Sequence, residues 1–225
     1  MVTVRNGRDR VAGRGPWMYR LIVVVMVCGI ALIACSRATE APVESREDVA
    51  VQTWQPIAPP DMNETQKAQQ ELVLSATNAL ASEMMGELTA ALDSGSPDQA
   101  IGVCKTTAPA VASRISQQFG LKIGRTSQKL RNPSNLPPDW AKDFVAAVVE
   151  QPTYVVGPHG EMGALLPIRL KAECQMCHGP AEMIDEDVMA EITTSYPSDQ
   201  AVGFVEGDLR GWFWIETLPG ERAEI

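Results

Sequence analysis

Basic side chains are scarce in this 225-residue chain, where 19 Lys and Arg stand against 28 Asp and Glu for a formal charge of −9. Five of the 19 (Arg5, Arg8, Arg10, Arg14 and Arg20) precede residue 35 with Asp9 alone opposing them, so the rest carries 14 basic and 27 acidic groups. So acidic a body argues against nucleic acid as a partner. Histidine is rarer still, with only His159 and His178. Five cysteines are too few for a disulfide-stapled miniprotein, and 45% hydrophobic residues are too many for a disordered chain. Internal repeats and low-complexity tracts are absent. What remains is one globular unit with extensions.

Long hydrophobic runs are also missing. The best, Leu21 to Ala34, has 14 residues and as a helix spans roughly 21 Å against a hydrocarbon core near 30 Å, too short for a comfortable permanent crossing. Basic residues before it and small residues at its end give the three-part pattern of a secretory signal. Its end, Leu32-Ile33-Ala34-Cys35, resembles a bacterial lipobox. By that resemblance residues 1–34 are removed, and Cys35 carries lipid as the mature N-terminus. The alternative is an uncleaved anchor ending at Cys35. Both readings export the body to the periplasm, and Ser36 after the cysteine favours the outer membrane. Residues 35–62 are polar, acidic and interrupted by Pro42, Pro56, Pro59 and Pro60, so they read as a flexible linker in which Trp54 has no assigned role.

The folded unit is expected over 63–225. Leu72, Ala76, Leu80, Met84, Leu88 and Leu92 recur every fourth residue between Asn63 and Asp93, which predicts a long amphipathic helix stopped by Gly95. Ser96-Pro97-Asp98 opens a second helix bearing Ile101, Cys104, Ala108, Val111 and Ile115. Pro109 removes the bond to the Lys105 carbonyl, so that helix should kink or restart just after Cys104. Leu121 to Leu130 alternates as a strand, and a short helix follows from Asp139. Thr153 to Val156 and Ala164 to Leu170 form a hairpin, and Leu209 to Thr217 is a last strand with Trp212 and Trp214 on one face. The class is α+β, a helical hairpin followed by an antiparallel sheet.

Chemistry concentrates in Cys174-Gln175-Met176-Cys177-His178, the c-type haem attachment pattern. Two thiols separated by two residues add across the two vinyl groups on one porphyrin edge, and the next imidazole reaches the iron. This composition yields the pattern by chance about once in a thousand. A structural disulfide and a thioredoxin-like pair share the C-x-x-C spacing but need no His178. A zinc site would have to borrow Cys104 or His159.

With Cys28 in the signal, Cys35 lipidated, and Cys174 and Cys177 on the porphyrin, Cys104 is left over in an oxidising compartment. It is either a buried core cysteine or the second axial ligand. Met162, Met176, Met183, Met189 and His159 are the other candidates, methionine being more often packing. Arg125, Lys129 and Arg131 form the one dense basic cluster and suit haem propionates, if they are not a solvated strand face. Asp208 and Arg210, beside Gly207 and Gly211, read as a turn.

Four patches carry a family resemblance: Ala100 to Cys104 with Ala108-Pro109, Gly124 to Asn135, Cys174 to Gly179, and Gly207 to Gly211. They resemble small exported c-type haem domains of PAS-like fold, long catalogued as a domain of unknown function and related to haem sensor modules. The resemblance implies one covalent haem ligated by His178 and by Cys104. A thiolate opposite imidazole stabilises ferric iron and lowers the potential. Expected functions are therefore sensing of redox state or of a diatomic gas, or, alternatively, periplasmic electron transfer without ligand exchange. The chain encodes no output module, so signalling requires a partner protein. It shows no distal acid–base pair for peroxidase work, so no enzyme is expected.

Overall fold

Asn63 caps the first long helix with its own side chain. Its Oδ1 accepts from the Gln66 backbone N–H at 2.9 Å, and Gln66 Oε1 accepts from the Asn63 N–H at 2.9 Å, a reciprocal capping box. The computed structural model describes residues 53–95 and 97–219; residues 1–34, Cys35 and the linker through 52 lie outside the described residues. Helix α1 spans Glu64–Asp93. Its buried residues are Val73, Ala76, Thr77, Leu80 and Ala91, whereas Leu72 is 36% exposed. The strict four-residue stripe is thus corrected, because a helix turns in 3.6 residues and a spacing of four drifts off the buried face.

Helix α2, Pro97–Gly102, runs into a π-helical turn, Val103–Thr107, and then into α3, Ala108–Phe119. The expected break at Pro109 takes this milder form. Backbone dihedrals stay helical at Gly102, Thr107 and Ala108, and the Ala108 N–H bonds the Val103 carbonyl five residues back. A widened turn thus takes up the proline's missing donor while the axis continues. Gly120, at φ 64°, ends α3 in the left-handed conformation.

Five antiparallel strands follow the order β1-β3-β4-β5-β2: β1 Gln55–Ile57, β2 Leu121–Thr126, β3 Thr153–Val156, β4 Met162–Arg169 and β5 Leu209–Thr217. The remaining α-helices are α4, Lys142–Ala146, the single turn α5, Gln175–His178, and α6, Glu186–Ser195. Among the described residues no helix is long and apolar enough to cross a membrane.

Two linker and strand expectations change. Residues 55–57, assigned to the linker, pair with β3, with Pro56 tolerated because the strand is an edge. Trp54 stacks on Trp140 with ring centroids 5.4 Å apart, and Met62 is buried. The strand expected to reach Leu130 stops at Thr126, because Ser127 turns the chain: its Oγ donates to the Arg210 carbonyl at 2.8 Å and accepts from the Lys129 N–H at 3.1 Å.

Side-chain alternation gives the sheet two different faces. Ile123, Ala164, Leu166, Phe213 and Ile215 pack with Val73, Leu80, Val111 and Ile115 of α1 and α3. Leu165 and Trp212 pack on the other side with Ala141 and Val145, joined by Trp140, Phe144 and Trp214. Gly124 permits this second layer, since a Cβ there would lie 2.5 Å from the Trp214 ring.

Candidate haem site

The single turn of α5 carries Cys174 as its N-cap and Cys177 three residues on, so both thiols lie along one side of the turn. Gly179 then leaves in extended conformation, where an added Cβ would crowd the Gln175 carbonyl at 2.6 Å. The strap 201–204 runs beside the turn. The Phe204 N–H donates to the His178 carbonyl at 3.0 Å, and the Gly203 N–H to the Gly179 carbonyl at 2.8 Å. His178 Nδ1 lies 2.7 Å from the Ala201 carbonyl. A carbonyl only accepts, so Nδ1 carries the proton and Nε2 stays bare. Arg210 Nε, 3.4 Å from the same Nδ1, is therefore a packed neighbour and no donor to it.

Burial, followed by the charges of Arg131 and Arg210, pushes the His178 pKa well below the ordinary histidine value. The imidazole is neutral at neutral pH, the form that ligates a metal. Burial likewise raises the Cys177 thiol, opposed by Arg131.

His178, Cys174, Cys177 and Cys104 line one cavity of about 510 Å³, within the size range of cofactor pockets. Its walls are largely apolar: Met84, Met85 and Leu88 from α1, Ile101 from α2, Ile168 from β4 and Phe213 from β5. Cys104 reaches it from the π turn, half-buried. All three cysteines are free. No three His, Cys, Asp or Glu side chains among the described residues converge closely enough to hold a bare metal ion.

The basic cluster divides. Arg125, on β2, lines the cavity and makes no ion pair or side-chain hydrogen bond among the described residues; burial lowers its pKa. Lys129 does not line it. Its Nζ lies 4.9 Å from the Phe204 ring centre and 3.3 Å from the Val202 carbonyl, a consequence of the strand ending three residues earlier. Arg131 is 6% exposed and spends Nε and Nη2 on Asp199, at 3.2 and 3.1 Å, with Nη1 alone left unpartnered beside the cavity. The shared strand face expected for these three does not form.

Arg210, read in the sequence as part of a turn, also lines the cavity, as does Arg169. Ile168 pairs with Gly211 and Arg169 with Leu209, so Arg210 is the unpaired residue of a β-bulge. A bulge breaks alternation and re-aims its side chain, which no periodicity in the sequence announces. Burial, then Arg131 and Arg125, lower its pKa to about 10. Tyr196, a buried cavity residue, was also missed; burial raises its phenol to about 12.

Other ligand candidates lie elsewhere. His159 is exposed in the β3–β4 turn and Met162 is buried in the core between sheet and helices, neither lining the cavity. Met183 is 74% exposed and Met189 half-buried, both outside the cavity lining. Met176 lines the cavity from within the attachment turn.

A family model described as Tll0287-like matches residues 41–217. A solved structure, the crystal structure of the cyanobacterial heme-protein Tll0287, is similar at a TM-score of 0.53 and 24% sequence identity. The match covers 71% of this chain and 98% of that one, and it supports the fold. No curated protein matches.

Proposed function

This chain belongs to the Tll0287-like family, and from that premise we propose that it binds one haem, which Cys174 and Cys177 would attach and whose iron His178 and Cys104 would hold. The residues suit that group. A largely apolar cavity meets two free thiols, a neutral imidazole with bare Nε2, and two guanidiniums, Arg125 and Arg210, without carboxylate partners in the described residues. The buried Arg131 Nη1 has no hydrogen-bond partner, as expected of an atom that faces a polar group the chain does not itself supply. When bound, the haem supplies an iron centre that cycles between ferric and ferrous states. Arg125 and Arg210 pair with its carboxylates. The antiparallel sheet with the long helices α1 and α3 on one face accords with a PAS-like architecture.

The function is sensing, of redox state or of a diatomic ligand that takes the place of Cys104. It is a non-enzymatic role, exercised through a partner protein from a lipid-anchored position outside the cytoplasm. The observation that carries it is Cys104 lining the His178 cavity from a π turn. A thiolate there keeps the potential low. The test compares ferric spectra of wild type and Cys104→Ala, then mixes ferrous wild type with carbon monoxide. Loss of the thiolate signature and rapid ligand replacement are expected. An unchanged ferric spectrum removes Cys104 as ligand, and an inert ferrous spectrum removes sensing of gases.

The second reading is electron transfer with both ligands retained. It draws on Met176, 48% exposed in the attachment turn, which brings one cavity edge close to solvent.

A further inference from the structure

The Ala201 carbonyl that accepts the His178 Nδ1–H hydrogen bond is itself held in place by two buried charged side chains. Asp199 Oδ1 accepts the Ala201 N–H at 2.9 Å. Arg131 Nη2 donates to the Ala201 carbonyl at 3.3 Å and to the Cys177 carbonyl at 2.6 Å. The same guanidinium grips Asp199 through Nε and Nη2, and the two side chains are 6% and 9% exposed. One ion pair therefore joins the attachment turn to the strap that orients the imidazole. Replacing it would free both: residues 177 and 201 are 24 positions apart, and Arg131 comes from a third segment, the loop after β2.

We propose that Arg131 and Asp199 are positioning residues for His178, which fix its Nδ1–H tautomer and ring orientation and tune the charge felt at the metal it holds. Outer-shell partners of a ligating histidine act in this way by fixing the ring and setting its basicity. The inference rests on the haem reading above. Two opposite charges at this position have separable effects. Arg131→Met removes a buried cation and leaves Asp199, which favours ferric iron and lowers the midpoint potential. Asp199→Asn keeps shape and acceptor but removes the anion, which raises it. Each shift is expected at about tenfold in the oxidised-to-reduced ratio, ~59 mV for one electron. The double variant returns close to wild type.

The experiment is a dye-mediated redox titration of the mature, haem-loaded protein and these variants, with the ferric axial signature recorded by electron paramagnetic resonance. Arg131→Lys separates position from charge: the potential stays near wild type while the axial signature broadens, since one ammonium cannot replace the fork. Asp199→Asn, being isosteric, keeps the test available if Arg131→Met does not fold. Opposite shifts for the two charge variants support the proposal. Shifts in the same direction, or an unmoved potential and signature in Asp199→Asn, overturn it. A wild-type protein of polypeptide mass alone overturns the haem reading first, an outcome distinct from either.

Discussion

The two faces of the sheet are filled in opposite ways. Behind it, Trp212, Leu165, Ala141 and Val145 are packed to 7% exposure or less, with Trp140, Phe144 and Trp214 against them. In front, beyond the shared core of α1 and α3, a cavity of about 510 Å³ is lined by methionines, half-buried free cysteines and guanidiniums. Protein interiors approach crystal density and lose contacts where they do not. A chain that closes one face with three tryptophans has the means to close the other. The front is therefore shaped around something other than its own side chains, and the back provides the rigidity against which that shape is held.

The contrast is testable by substitutions that act on one face only. The largest effect belongs to the front: Cys174→Ser with Cys177→Ser is expected to abolish covalent pigment, so that intact mass falls to the polypeptide alone while the fold persists. On the back, Trp212→Ala should cost about 3–5 kcal/mol of stability, read as a lowered denaturation midpoint, because the ring is 1% exposed and its Nε1 donates to the Val149 carbonyl at 2.7 Å. The visible spectrum of the surviving folded protein should not move. Arg125→Met should change sign with loading. In the pigment-free chain it removes a desolvated cation without a partner and stabilises, whereas in the loaded protein it loses a charge-assisted hydrogen bond of about 1.5–3 kcal/mol. Paired denaturation curves check this, and a loss of stability in both forms breaks the contrast. The smallest effect is on the back. Val148 sits at φ 55°, a left-handed conformation costly for a β-branched residue, so Val148→Gly should stabilise by about 0.5 kcal/mol with no spectral change.

The legibility of these two faces in the sequence was unequal as well. Pro97, the alternation through Trp212 and Trp214, and the glycine-rich segment 157–163 announce their elements locally, although β4 opens at Met162, two residues before the expected Ala164, and closes at Arg169. Cys174, Cys177 and His178 stand together in one short motif, and they line one cavity with Cys104. What stayed hidden depends on pairing between distant segments. Strand β1 is three residues long with a proline in its middle and exists because β3 offers an edge. Arg210 enters the cavity through a register shift in β5 against β4. Arg131 turns inward because Asp199, 68 positions away, meets it. None of these partners is visible in a short window.

The π turn at Val103–Thr107 also fixes a register between the two halves of its helix. One extra residue in one turn rotates everything before it by about 100° relative to an uninterrupted α-helix. Were this turn to tighten to ordinary α-helix with all its residues kept, Cys104 would swing to another azimuth. The sulfur's bearing is therefore set by the width of one turn, and a helix that tightened here would keep its thiol and lose its aim.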